Sequence, residues 1–363
     1  MDRRSFLKSA GAVSASLAIP GTRRLFAVSD TDAWRTFEVT TRVEILKPAG
    51  TTFVWLPAAI LRETPFQKTL ANDFKAEGGT VELVQRKEDA LGIVTAKFPE
   101  GVKPVLTLTC RASTRGHSVD LAKPGRAPKA DPAELDYYRQ PTKVIPVDGA
   151  VKITALEATQ GATTDVAKAR AIYEWIVVNT YRNPKTRGCG LGDIKFMLES
   201  KDLGGKCADL NALYVGLARA AGVPARHIYG LRAAPSRLGF KSLGLKSDDA
   251  THGQHCRVEV WLEDYGWVPV DPADVRKVVL EEPPGNLPID DAMVQKARKR
   301  LFGSWEMNWI AYNYGHDVEL PGSKHGPCNY FMYPQGETAD GRLDPFDAES
   351  FKYEIGAREI TPA

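Results

Sequence analysis

"GGKCADLNALYVGLARAAGVPAR", residues 204–226, sets a cysteine directly behind two glycines and at the first turn of an amphipathic helix. Cys207, Leu210, Leu213, Tyr214 and Leu217 recur at helical spacing, and Gly222 with Pro224 supplies the stop. A thiol in that place meets unpaired backbone N–H groups and the positive end of the helix dipole, both of which favour thiolate over thiol. A nucleophile made there needs a base to take its proton and a third group to hold that base.

Both candidates follow in "HCRVEVWLEDYGWVPVDPAD", residues 255–274, which reads as two strands joined by a short turn containing Gly266. His255, Arg257, Glu259 and Trp261 share one face of the first strand, and Trp267, Pro269 and Asp271 one face of the second. A five-residue connection, Leu262 to Gly266, pairs Trp261 with Trp267. Asp271 then falls opposite Arg257, diagonal to His255 and on its side. A four-residue connection would put the two on opposite faces. Taken singly, each residue has a plainer reading: a packed small thiol, a core histidine, an Asp-Pro strand end. His252 is a rival base, although its loop position suits a solvated residue or a contact at a cleft rim.

These two stretches resemble the transglutaminase-like superfamily. The shared features are a Gly-x-Cys helix start, a Leu-x-x-Ala-x-Gly-Val-Pro-Ala-Arg exit, a His-x-x-Val-Glu-Val strand and a Trp-Val-Pro-x-Asp-Pro strand, in the family's order over residues 165–275. The resemblance implies a papain-like fold with Cys207 as nucleophile, His255 as general base and acid, and Asp271 orienting the imidazole. It requires no cofactor and no metal. Cys256, directly after His255, departs from the family's usual small or aromatic residue and marks a place open to oxidation. The backbone N–H of Cys207 is the default oxyanion donor.

Outside this unit the hydrophobic period changes. "FEVTTRVEIL" sets Phe37, Val39, Val43 and Ile45 against polar partners, and "VLTLTC" at 105–110 repeats the alternation. Residues 34–120 therefore read as an antiparallel β-sandwich, a domain also similar to the one preceding the catalytic unit in bacterial members of the family. Proline-rich 121–148 reads as a linker packed along the surface, 149–330 as the catalytic domain and 331–363 as a C-terminal extension. Helices first and strands after within one unit give the α+β class. The aromatic run 303–317, with Trp305, Trp309, Tyr312 and Tyr314, suits either the lining of an acyl-binding cleft or core packing. His316 and His325 lack metal-ligand spacing. The pattern-poor segment 234–253 reads as a mobile flap beside His255.

The N-terminus, "MDRRSFLKSAGAVSASLAIPGTRRLFA", carries paired arginines before a mild apolar run and reads as a twin-arginine signal peptide over 1–27. Its partner would be the twin-arginine export machinery, and its product periplasmic or extracellular. The apolar run is too short for a stable membrane span after cleavage. Removing its five basic residues and one acidic residue from totals of 48 and 45 leaves the rest of the chain at −1. No electrostatic footprint for nucleic acid remains. Five cysteines, an odd number for an oxidising compartment, leave at least one free thiol or an intermolecular bridge.

The expected function is acyl transfer or hydrolysis at amide or peptide carbonyls through a thioester. The partner is a protein or peptide, with cell-wall peptide one candidate. A non-catalytic peptide- or cell-wall-binding adaptor on the same fold is the alternative.

Overall fold

The structure is a computed structural model describing residues 33–125, 129 and 131–361. The expected signal peptide lies outside the described residues. Six antiparallel strands come first: β1 (Arg35–Ile45), β2 (Thr52–Pro57), β3 (Gln67–Glu77), β4 (Thr80–Arg86), β5 (Leu91–Phe98) and β6 (Val105–Thr114). On β1 burial alternates strictly residue by residue, so Phe37, Val39, Val43 and Ile45 all enter the core.

The second unit begins with helices α1 (Gly149–Ala158), α2 (Asp165–Asn179) and α3 (Cys207–Ala220). Strands β7 (Ala225–Arg232), β8 (Gln254–Leu262) and β9 (Gly266–Val270) follow, then helix α4 (Pro272–Glu281) and strand β10 (Trp309–Asn313). The strands form an antiparallel sheet in the order β9-β8-β7-β10. Every residue of α3 is buried, because α1 and α2 cover one side of it and β8 the other. This is an α+β architecture, with a helix carrying the cysteine laid across a sheet carrying the histidine.

Residues 331–361 do not stand apart as a C-terminal extension. Strand β11 (Gln335–Thr338) pairs with β2, and β12 (Phe351–Glu359) pairs with β1 from Phe37↔Glu359 to Ile45↔Phe351. One sandwich sheet therefore runs β12-β1-β6-β3, and the other runs from Gly341–Arg342 through β11, β2 and β5 to β4. The chain leaves the sandwich, builds the second unit and returns. Residues 121–148 also do more than connect. They include a helix at Pro132–Tyr137, and Tyr138, Val144 and Ile145 are buried. The two units are stitched together by polar contacts: Gln67 Nε2 donates to the Ala311 carbonyl (3.0 Å), and its Oε1 accepts from the Ala311 N–H (2.7 Å).

Candidate active site

Two glycines precede Cys207 because neighbouring side chains occupy the space that larger residues would need. A Cβ on Gly204 would lie 2.3 Å from the Tyr181 ring, and one on Gly205 2.5 Å from Asp209 Cβ. Asp209, one turn into α3, accepts from the Lys206 N–H at 3.0 Å and the Gly192 N–H at 2.9 Å, fixing the helix start. Cys207 is the first helical residue, and its own N–H has no acceptor among the described residues. That leaves it free to receive an oxyanion.

The hairpin carries the register that the sequence predicts. Trp261 pairs with Trp267 and Leu262 with Gly266, the three residues Glu263, Asp264 and Tyr265 turn the chain, and Asp264 sits at φ 68°. Val258 pairs with Val270, so Asp271 comes next on the face of His255. His255 Nε2 lies 2.8 Å from Asp271 Oδ2. Asp271 is also the N-cap of α4, its Oδ1 accepting from the Asp274 N–H at 3.1 Å. The strand end therefore serves two purposes with two oxygens.

Side chains that the sequence reading did not single out complete the arrangement. Asn211, one turn after Cys207, donates from Nδ2 to the Cys256 carbonyl (2.8 Å) and to Asp271 Oδ1 (3.2 Å), while its Oδ1 accepts from the Ala273 N–H (3.3 Å). Asp274 approaches His255 Nε2 at 3.4 Å and is held by Arg232 at 2.6 Å. Arg257 Nε stands 3.7 Å from Asp271. The signal that could have found Asn211 is a polar amide among the apolar residues of the helix, whereas Asp274 looks like ordinary helix-start acid.

Electrostatics follow from this geometry. Hydrogen bonds from Cys189 and then Cys256, joined by His255, hold the Cys207 thiol well below the ordinary thiol range against the opposing effect of burial. Burial and Arg232 disfavour the imidazolium, but Asp274 and Asp271 outweigh them and lift His255 to about 10. Burial disfavours the Asp274 charge as well, and Arg232, His255 and Arg257 together more than offset it, leaving that carboxyl well below its usual range. Both shifts favour charge separation between Cys207 and His255 over a neutral thiol and imidazole. Asp271 and Asp274 face Arg232, Arg257 and His255, and burial with the neighbouring Asp274 raises the Asp271 carboxyl above its usual range. His255, Asp271 and Asp274 are near enough to one another for a metal ion. The two arginines already supply that positive charge, so the cluster is a charge-paired network.

Cys207 and His255 open onto a cleft of about 800 Å³ that also exposes Cys189, Gln254 and Tyr333. Tyr333 Oη donates to Cys189 Sγ at 3.1 Å, and Tyr333 with Phe346 brings the returning C-terminal segment into the site. His252 is exposed at the rim and makes no contact with Asp271 among the described residues. Trp305, Trp309, Tyr312 and Tyr314 line no part of the cleft and are core. They support it from behind: Trp309 Nε1 donates to the His255 carbonyl at 2.8 Å. The 234–253 segment is pinned rather than flap-like. Buried Glu282 accepts from the Lys241 and Ser242 N–H groups, both at 2.9 Å, and Arg232 Nη1 donates to the Leu243 carbonyl at 2.7 Å. All five cysteines are free thiols, and Cys256 is fully buried beside Cys207.

The family model for the transglutaminase-like superfamily matches residues 152–272. An uncharacterized protein of Haemophilus influenzae is 38% identical over 236 residues, a match spanning 62% of this chain and 63% of that protein's length. The crystal structure of a proposed cysteine protease from Cytophaga hutchinsonii shares the fold. Its TM-score is 0.55 at 14% identity, with 92% of this chain and 93% of that one covered. The periplasmic domain of TgpA from Pseudomonas aeruginosa gives 0.34 at 17% identity, with 62% and 90% covered. Residues 152–272, which contain the cysteine helix and the histidine–aspartate hairpin, are the part of the chain that matches the transglutaminase-like superfamily.

Proposed function

We propose that the protein is a cysteine-dependent acyl-transfer enzyme in which Cys207 is the nucleophile, His255 the general base and acid, and Asp271 the residue that orients the imidazole. The observation carrying this reading is the 2.8 Å contact between His255 Nε2 and Asp271 Oδ2 beside a cysteine at a helix start. With Nε2 engaged by the carboxylate, Nδ1 is the ring nitrogen left to exchange a proton at the reaction centre. The Cys207 thiolate attacks an amide carbonyl, and the Cys207 N–H stabilises the oxyanion. His255 then protonates the departing amine as the C–N bond breaks, leaving a thioester on Sγ. Water or an amine, deprotonated by His255, releases the acyl group and restores the thiolate. The acyl donor is a protein or peptide, cell-wall peptide included.

Intact-mass spectrometry after brief mixing with peptide substrates tests this. The expected result is a covalent acyl adduct on Cys207 that is absent from Cys207→Ser. An adduct-free wild type would favour the peptide-binding adaptor, and turnover by Cys207→Ser equal to wild type would overturn Cys207 as the nucleophile.

Export by the twin-arginine route is part of the same proposal and rests on Arg3 and Arg4. No helix among the described residues is long and apolar enough to cross a membrane. Replacing Arg3 and Arg4 by lysine should hold the precursor in the cytoplasm, since a compact ammonium does not mimic the guanidinium fork. Unchanged export of that variant would overturn this part.

A further inference from the structure

The walls of the cleft are strongly cationic, although the chain after residue 27 carries −1 overall. Arg182, Lys206, Lys241, Lys246 and Lys277 all line it, against Glu281 as the one lining carboxylate. Glu281 is shared by Arg182 and Lys277, so that trio keeps one surplus positive charge. Lys206, Lys241 and Lys246 have no carboxylate within ion-pair distance among the described residues. Arg232, the remaining basic lining group, is neutralised by Asp274, and the Cys207–His255 pair is neutral as a unit. Four positive charges are left unbalanced around the nucleophile.

Their placement is fixed by the backbone. Arg182 pairs with Gly205 in a short parallel ladder, directly before Lys206 and Cys207. Lys241 is held by its N–H bond to buried Glu282, on the segment leading to His255. Lys241 and Lys246 are exposed, so their ammonium groups are available to a ligand. Leu245, Pro283, Tyr333 and Phe346 supply apolar wall between the charges. A mixed wall of this kind fits an extended peptide with carboxylates on either side of a neutral stretch.

We infer that the cleft selects anionic peptides, with carboxylate groups flanking the carbonyl presented to Cys207. This deepens the acyl-transfer reading and rests on it only for the identity of that carbonyl, because binding of the peptide needs no chemistry. A cleft with four unbalanced cations raises the local concentration of anions and repels cationic peptides, an effect that weakens with salt.

The test uses Cys207→Ser protein, which cannot turn over, and three fluorescein-labelled pentapeptides with a central glutamine flanked by glutamate, alanine or lysine. Fluorescence anisotropy at low salt should rank them glutamate, alanine, lysine. The glutamate peptide should bind about tenfold tighter than the alanine one, and Lys241→Gln/Lys246→Gln should remove most of that gap. In protein retaining Cys207, iodoacetate should alkylate that thiol faster than iodoacetamide does, and the same double substitution should reverse the preference.

Equal affinity for the three peptides, or a glutamate preference that survives the double substitution, would overturn the inference. Selective binding of the acidic peptide by Cys207→Ser, combined with no acyl adduct on wild type, would uphold the anionic cleft and sink the catalytic reading. An acyl adduct formed equally from all three peptides would do the reverse.

Discussion

Asn211 Nδ2 lies 3.2 Å from Asp271 Oδ1, so the helix that carries Cys207 also holds the carboxylate that contacts His255. One amide ties three elements together, since the same group reaches the Cys256 carbonyl and Asn211 Oδ1 takes the Ala273 N–H. Relative placement of Cys207 and His255 therefore depends on a side chain that hydrogen-bonds to neither of them.

Asn211→Ala should leave a buried carbonyl, a buried N–H and one carboxylate oxygen short of a partner. A stability loss of about 2–4 kcal/mol is expected from urea unfolding. Activity should fall further than stability predicts, with kcat affected more than KM, because Asp271 loses a positioning contact. Asn211→Asp, which cannot donate and adds a charge beside Asp271, should be worse than alanine. A wild-type kcat in Asn211→Ala would remove the positioning role.

Glycine substitutions near the helix start separate a steric requirement from simple chain flexibility. A Cβ on Gly190, at φ 97°, would lie 1.8 Å from Asp209 Oδ2, while one on Gly192, at φ 71°, meets nothing nearer than 3.4 Å. Both alanine variants bear backbone strain, but only Gly190→Ala must also displace the carboxylate that fixes the start of the helix. Gly190→Ala should cost on the order of 3 kcal/mol and slow alkylation of Cys207, with Gly192→Ala milder on both counts. Equal effects would show that crowding against Asp209 is unimportant.

The hairpin places Asp271 through its register, so inserting one alanine after Asp264 should slip β9 or force a bulge. His255 would lose its carboxylate partner, and turnover should drop by roughly two to four orders of magnitude. The turn absorbs added length more readily than the sheet does, so unfolding should change less. Turnover equal to wild type in the inserted protein would contradict the His255–Asp271 pairing as a functional one.

Much of this site was readable from the sequence because its parts are local. Strand alternation and a turn of odd length put His255 and Asp271 on one face, and a helix start was legible at Cys207, whereas the docking of that helix on the hairpin came only from the family resemblance. Long-range pairing left no such trace: nothing in 331–363 announces that β12 will lie beside β1, or that Tyr333 and Phe346 will reach the cleft. The aromatic run 303–317 was ambiguous because bulk and apolarity serve a core and a cleft equally well, and burial decided for the core. The 234–253 segment looked mobile for want of periodicity. Its anchors are Arg232, just ahead of it, and Glu282 and Asn308, both distant in sequence.

Cys189 offers a check on the source of thiolate stabilisation, since its thiol is the leading contributor to the lowered titration of Cys207. Removing that donor in Cys189→Ala should raise the thiol toward its ordinary range. Less thiolate would then be present at about pH 6, with little change where both proteins are ionised. Cys189→Ser, which keeps a donor, should lie between. Identical pH profiles for wild type and Cys189→Ala would place the stabilisation on His255 and the helix instead.

The most direct measurement is the rate of Cys207 alkylation by iodoacetamide across pH, read by peptide mass spectrometry, in wild type and in His255→Asn. A thiolate–imidazolium pair predicts a reactive plateau that begins well below the ordinary thiol range and extends toward pH about 10, where His255 loses its proton. His255→Asn should move the acid end of that plateau to higher pH. A wild-type profile that rises only near the ordinary cysteine value of about 8.5, unchanged in His255→Asn, would contradict the assignment of Cys207 as a poised nucleophile.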